Sequence, residues 1–517
     1  MAETILQAIG RYARERGEQT VYWTPSRTWS FVELDRASNR IAQGLASLGI
    51  GRGDRVACLT KHTADCVALV LAANKAGAVC MPVNWRLAPP EIEYIVNNGK
   101  AKLLLADKLF APFEKQINAP DLKKVLITEE FSSWYSGFEE LREQIQSNRD
   151  DTALQLYSSG TTGLPKGVEL THRNLMAGMM DAVAAAIGYH GAPEVMLNVL
   201  PTYHIAGVGV ALLTASKGGP SVLYPDFDPA QVIAAIAEHR ITHSFLVPAM
   251  IQFMLQVPGA DKADYSSLKG ISYGASPISE KVLIDAMRVF KCRFMQVYGL
   301  TETTGAVTAL APEDHDPEGP KKHLLRSAGK PIDGVELRVV DPASGRDCAE
   351  GEVGEVWIRT LQNMKGYWAN PKATEEVFSG RRPDGWGWFR SGDAGFLREG
   401  YVYMHDRIKD MIVSGGENIY PAEVENALLQ HPAVADGAVI GVPDENRGEA
   451  VKACVVLKPG ASVNAAEIIE FMRARIAHFK CPRSVDFLDA IPRNPTGKIL
   501  KRVLREPYWR GRERRVN

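Results

Sequence analysis

Apolar positions along this chain recur in two alternating periods. "SFVELDRASNRIAQGLASLGI" repeats them at helical spacing and stops at Gly49, "GDRVACLT" reads as a short strand, and "ADCVALVLAANKAG" is apolar enough all round for a buried helix. "GAVCMPVN", "PPEIEYIVNNG" and "AKLLLAD" continue with strand, helix and strand. A second run repeats the order: "MLNVLP", a helix after "HIAG", "GPSVLYP", the helix "DPAQVIAAIAEHR", then "ITHSFLVP", "LKGISYG" and "CRFMQVYG". Such alternation predicts an α/β fold with two subdomains, each a mostly parallel sheet covered by helices.

From about Gly329 the runs shorten to "VELRVVD", "GEVWIRT" and the hairpin "GFLREGYVYM", with Gly400 in its tight loop, which predicts a small β-rich subdomain. After "DRIKD" short helices and strands return in "PAEVENALLQH", "VADGAVIGVPD", "EAVKACVVL" and "AAEIIEFMRARI", a small α+β domain. The boundary falls near Asp406 to Asp410 and divides a large N-terminal domain, 1–408, from a small C-terminal one, 409–517. With 517 residues the chain is too long for a single core.

Composition narrows the class. A 45% hydrophobic and 23% charged chain is that of a soluble globular protein, and a net charge of −1 provides no general field for nucleic acid or an anionic membrane. The N-terminal "MAETILQAIGRYARERGEQT" is charged throughout, and no apolar run reaches the roughly 18 residues of a membrane span, so a cytoplasmic enzyme is expected. Seven scattered cysteines without a CxxC pair are expected to be reduced thiols.

The chemistry concentrates in a few stretches. "YSSGTTGLPKG", Tyr157 to Gly167, gathers five hydroxyls, three glycines and Lys166. Such a loop fits a polyanion such as a nucleotide phosphate chain, although a polar turn between strands accounts for the same residues. It is no Walker A loop, because Pro165 and Gly167 disfavour helix on both sides of Lys166. "YGLTETTG", Tyr298 to Gly305, suits phosphate and Mg²⁺ with Glu302 sharing the metal, or else a capping turn with Thr301 as N-cap. Asp393, beside glycine at a strand end, suits a ribose diol, and Arg407 could grip the same sugar or a phosphate; a turn aspartate and a surface arginine are the plainer readings. Asn494, Pro495 and Gly497 form a turn with Lys498 at its tip, catalytic or simply solvated. The basic residues beyond it, Lys501, Arg502, Arg505, Arg510, Arg512, Arg514 and Arg515, read as a solvated helix and tail without the aromatics of a nucleic-acid site. His239 and His243 stand four apart, but without an HExxH glutamate or a third ligand they are ordinary histidines at a helix end.

Taken in order, "YSSGTTGLPKG", "LPTYHIAG", "YGASP", "YGLTETTG", "GWFRSGDAG", "DRIKDMIVSGGENIYPAEVE" and "NPTGK" resemble the acyl-adenylate-forming superfamily over nearly the whole chain, and bacterial fatty-acyl-CoA synthetases most. The resemblance implies that Ser158, Ser159, Gly160, Thr161, Thr162, Gly163 and Lys166 hold the β- and γ-phosphates of ATP. It implies that Gly274, Ala275 and Ser276 line the adenine with Tyr298 and Gly299 beside them, that Thr301 contacts the α-phosphate, and that Glu302 holds Mg²⁺. Asp393 and Arg407 would hold the ribose, and His204 would stand at the carboxylate's entrance to an acyl pocket. Lys409 would be the hinge of a mobile small domain, Gly415 and Gly416 would border the pantetheine tunnel of coenzyme A, and Lys498 would reach the reacting carboxylate. Ser158 stands where threonine is commoner, and Lys409 where many relatives carry aspartate.

The implied activity is an AMP-forming acid–thiol ligase joining a carboxylic acid to CoA. Ile205, Ala206, Gly207, Val208, Gly209 and Val247 are small and apolar, which points to a medium- to long-chain or bulky aliphatic acid, with an aryl acid second. An enzyme loading a carrier protein, and a catalytically silent ligand-binding relative, are the competing readings. Whether the chain acts as a monomer or a homodimer is left open.

Overall fold

The computed structural model describes residues 4–114, 117–141, 148–158, 164–276, 278–382, 386–407, 410–414, 417–445, 447–493 and 499–510. Two mostly parallel sheets form the large part of the molecule. The first, of seven strands, is centred on Arg55–Leu59 and Val79–Pro82 and carries the antiparallel hairpin of Thr152–Ser158 and Lys166–Thr171 on one side. Both central strands are buried at every position, as in a sheet covered on both faces. The second sheet has nine strands, with the parallel set Ser221–Leu223, Met196–Asn198, His243–Leu246, Gly270–Gly274 and Arg293–Leu300.

Helices Ala64–Lys75 and Ile205–Ser216 pack in the core shared by the two sheets. A lysine within it is tolerated because Lys75 Nζ reaches Asp35 Oδ1 and Ser38 Oγ at 2.7 Å each and Asn39 Oδ1 at 2.9 Å. Helices Pro229–Glu238, Pro248–Leu255 and Glu280–Phe290 cover the outer face of the second sheet. "TVYWTPSRTWS", to which local pattern assigns no element, forms Thr20–Trp23 and Thr28–Ser30. Both join the second sheet, Tyr22 and Trp23 pairing with Ser221 and Val222.

The β-rich part is a five-stranded antiparallel sheet. Its hairpin of Trp388–Arg398 and Tyr401–Arg407 turns on Glu399 and Gly400, with φ of 53° and 78°, the doubly positive loop that matches strand twist. The last sheet pairs Val434–Asp444 with Gly448–Leu457 and adds Ile412–Ser414, Glu417–Ile419 and Ser484–Phe487. Alternate residues face opposite ways: Val439 joins Val424 and Leu428 of helix Pro421–Leu428, while Ala438 and Ile440 join Leu504 of helix Lys501–Trp509. Near the expected boundary His405 stacks on Tyr420 at 4.6 Å between ring centroids.

That terminal helix corrects the reading of a solvated basic run. Lys501 is 7% exposed and pairs with Glu425 Oε1 at 3.0 Å, and Arg505 pairs with Asp410 at 2.9 Å. The helix has an apolar side that the sheet needs covered, which carries these two cations inward with it; Arg502 stays exposed. His239 and His243 also part company, since the helix ends at Glu238 and His243 begins a strand.

Candidate active site

In sheets of this kind the crevice beyond the carboxyl ends of the strands is where ligands bind, and both parallel sheets deliver their chemistry there. Strand Arg293–Leu300 runs into the turn Thr301–Thr303, and Thr304 at φ 54° and Gly305 at φ 108° reverse the chain. The capping expected of Thr301 is performed by Thr303, whose hydroxyl accepts the Leu300 N–H at 2.9 Å and lies close to the Gly305 carbonyl at 2.9 Å. Thr301 is thereby left as the first residue of the turn, half-buried, beside Glu302.

From the other sheet, Ser158 at the end of Thr152–Ser158 donates its hydroxyl to Glu302 Oε1 at 2.9 Å. Tyr367 donates to the same oxygen at 3.1 Å. Among the described residues no donor reaches Oε2, so the carboxylate is held by one oxygen with the other available to a cation. Lys166 lies opposite Ser158 in the hairpin register, its Nζ 5.0 Å from the Tyr367 ring centroid. The hairpin's base is anchored by Arg55, which donates to Glu169 at 2.9 Å and stacks on Trp368. Ser159, Gly160, Thr161, Thr162 and Gly163 lie outside the described residues. Tyr367 is a member of the site that sequence reading missed. It sits on the two-residue strand Gly366–Tyr367, too short for any period, and reaches the hairpin by pairing with Val168.

The β-rich sheet supplies a second carboxylate. Asp393 accepts the Tyr298 hydroxyl at 2.8 Å and is buried. It lies within strand Trp388–Arg398 and not at a strand end: Gly392 at φ 70° and a register shift before Gly395 bulge the strand there, which re-aims one side chain without ending the pairing. Arg407 is the register partner of Asp393, and its side chain lies outside the described residues. Gly274 ends its strand so close to its neighbour that a Cβ would lie 2.2 Å from the Val297 carbonyl oxygen, and Gly299 meets the Gly305 oxygen at 1.9 Å in the same sense. Ala275 follows at φ 67°, a left-handed conformation uncommon for alanine and of the kind found where a site requires it. Ser276 is half-buried next to it.

His204 precedes helix Ile205–Ser216 and is half-buried, and among the described residues its Nε2, itself shielded from solvent, has no hydrogen-bond partner. Burial pushes its pKa down to about 4, with Arg86 acting in the same direction, so the ring is neutral at physiological pH. The apolar residues after it do not share one face. Val208 faces the core between the sheets and Ala206 and Val247 the outer cluster, Gly207 packs on the Leu200 and Pro201 carbonyls, and Gly209 meets Met179. Lys409, Gly415, Gly416 and Lys498 lie outside the described residues. Among the described residues no cluster of three or more His, Cys, Asp or Glu is arranged to hold a metal, and no helix is long and apolar enough to cross a membrane.

Residues 10–368 match the AMP-binding enzyme family and residues 423–498 its C-terminal domain. The chain belongs to the AMP-binding enzyme family. It is 38% identical over 522 aligned residues to a fatty acid–[acyl-carrier-protein] ligase of Streptomyces coeruleorubidus, covering 100% of this chain and 98% of that one. It is 36% identical over 493 residues to a long-chain-fatty-acid–CoA ligase of Mycobacterium tuberculosis, covering 93% of each. Its fold is similar to that of ATP-bound MatB from Rhodopseudomonas palustris, with a TM-score of 0.87 at 30% identity over 97% of this chain and 99% of that one. As a ligase of this family the protein uses ATP to form adenylates of carboxylic acids.

Proposed function

We propose that this AMP-binding enzyme activates an apolar aliphatic carboxylic acid, of medium to long chain or otherwise bulky, as its acyl adenylate and passes the acyl group to coenzyme A. The observation that carries the reading is the Ser158–Glu302 hydrogen bond. It joins the phosphate-type loop of one sheet to the acidic turn of the other, 144 residues apart in sequence.

A carboxylate is a poor acylating agent until its oxygen becomes a good leaving group. In the first step a carboxylate oxygen bonds to the α-phosphorus of ATP and the bond to pyrophosphate breaks. In the second the CoA sulfur bonds to the acyl carbon and AMP departs. The first step brings anions together, and Lys166 and Lys498 offset their repulsion with fixed positive charge. The Glu302 carboxylate, held through Oε1 with no described donor on Oε2, would hold a Mg²⁺ ion. When bound, such an ion supplies charge neutralisation. Ser158 and Tyr367 orient Glu302 for that contact, Tyr298 and Asp393 form the nucleoside side with Arg407, and Gly274, Ala275 and Ser276 border the base. His204, neutral and with Nε2 available, offers the incoming acid a polar contact without trapping it as an ion pair.

The small domain, 409–517, turns about Lys409, presenting Lys498 for adenylation and then Gly415 and Gly416 to pantetheine. The setting is read as cytoplasmic, a reducing compartment that suits seven cysteines scattered along the chain. A carrier protein is the second reading for the acceptor, favoured by the 38%-identical relative that bears that name. Incubating the purified enzyme with ATP, Mg²⁺ and a panel of aliphatic and aryl acids, and following pyrophosphate release, reads the first step. Adding either CoA or a phosphopantetheinylated carrier protein, with mass spectrometry of the thioester, reads the second. Acyl-CoA from aliphatic acids is expected; a thioester on the carrier alone moves the assignment to the second reading, and no acid-dependent pyrophosphate refutes both.

A further inference from the structure

Helix geometry is interrupted next to the acidic turn. Residues Met176–Val183 form a π-helix, a form that is rare and concentrates at functional sites. Its Met179 side chain is buried and lies against two glycines from other elements. A Cβ on Gly209, in helix Ile205–Ser216, would lie 2.8 Å from Met179 Cε, and one on Gly305 would lie 2.9 Å from its Sδ. The same π segment brings Gly178 against the Thr304 carbonyl, where a Cβ would stand 3.2 Å away. The thioether therefore fills a slot that exists because both neighbours lack side chains. One wall of that slot, Gly305, closes the turn that carries Glu302; the other is the helix that begins after His204.

We propose that Met179 is the adjustable stop of the acyl channel and sets the chain length of the acid; this rests on the aliphatic reading above. An acyl chain leaving the adenylation turn along helix Ile205–Ser216 meets this side chain where the helix and the turn converge. Methionine suits a movable stop, being unbranched, polarizable and able to change rotamer without a branched carbon colliding with either glycine. A shorter residue lengthens the channel by the room that Cγ, Sδ and Cε occupy, and a rigid ring shortens it.

The test is a chain-length profile of kcat/KM in the pyrophosphate assay for wild type, Met179→Ala and Met179→Phe. Because one methylene in an apolar pocket is worth about tenfold or more in specificity, the ratio of long to short acids should rise at least about tenfold in Met179→Ala and fall in Met179→Phe. KM for ATP should stay as in wild type. The ratio is measured within each protein, so a smaller folded fraction cancels, and Met179→Ala, which only removes atoms, carries the test if the phenylalanine variant fails to fold. A wild type that adenylates aliphatic acids, with an unchanged ratio in Met179→Ala, overturns this role alone. A wild type that adenylates no aliphatic acid overturns the substrate reading and this role with it.

Discussion

Replacing Lys501 by methionine keeps an unbranched, largely apolar side chain at this buried position and removes only the cation. Lys501 and Glu425 have side-chain exposures of 8% and 13%, with 3.0 Å between Nζ and Oε1, and that same oxygen accepts the Val439 N–H at 2.7 Å. Removing one partner of a buried pair leaves the other desolvated without this counter-charge, which costs about 3–5 kcal/mol. A solvated lysine would cost within about 0.5 kcal/mol. Urea unfolding of the full chain, with hydrogen exchange read at Val439 and along residues 501–509, separates the two. Lys501→Met should lower stability by the larger amount and loosen the helix, while Arg502→Ala, one residue on and exposed, should behave as wild type. Adding Glu425→Gln to Lys501→Met should restore most of the loss, since glutamine is uncharged yet still accepts from Val439. The helix begins three residues after Lys498, so Lys501→Met should also slow adenylation more than thioester formation from supplied acyl-AMP. If Lys501→Met and Arg502→Ala match in stability and exchange, the argument from burial is wrong.

Lys498→Ala should lose about 3–4 kcal/mol of transition-state stabilisation, two to three powers of ten in adenylation rate, and still convert synthetic acyl-AMP and CoA at near wild-type rate; equal loss of both steps would refute the assigned role. Lys409→Pro fixes φ near −65° and should spare adenylation while thioester formation collapses, which separate half-reaction assays check. Burial pushes His62 as well as His204 down to about 4 from 6.5, so the unfolded chain takes up their protons first as pH falls. The stability of these neutral rings is present above pH 6.5 and is lost as pH falls toward 4, about 2 kcal/mol per histidine at pH 5. Urea melts at pH 7 and pH 5 should show a smaller loss in His62→Asn than in wild type, and an equal loss would argue against the buried-neutral state.

Element order was legible in the sequence because side-chain periodicity is set by near neighbours. The central strands of the first sheet, the helices Ala64–Lys75 and Pro229–Glu238, and the Glu399–Gly400 hairpin fall where their patterns predict them. Candidate residues were legible too, since Ser158, Lys166, Glu302 and Asp393 lie in stretches whose glycines and hydroxyls suit a polyanion as well as a polar turn, and the structure brings Ser158 to Glu302 and Lys166 beside Tyr367. Pairings between distant segments were not. Nothing near Thr20–Trp23 says that, besides its neighbour Thr28–Ser30, it pairs with strand Ser221–Leu223, and nothing near Tyr367 says that its hydroxyl meets Glu302. Lys501 shows the limit most clearly: a lysine in a basic run is solvated by default, and only a sheet face needing cover, with Glu425 beneath it, turns that lysine inward. The sequence alone determined most of the elements and most of the chemical inventory, which depend on interactions within a few residues. The tertiary structure decided which oxygen faces which donor, because that depends on which surfaces bury one another across a hundred residues or more of intervening chain.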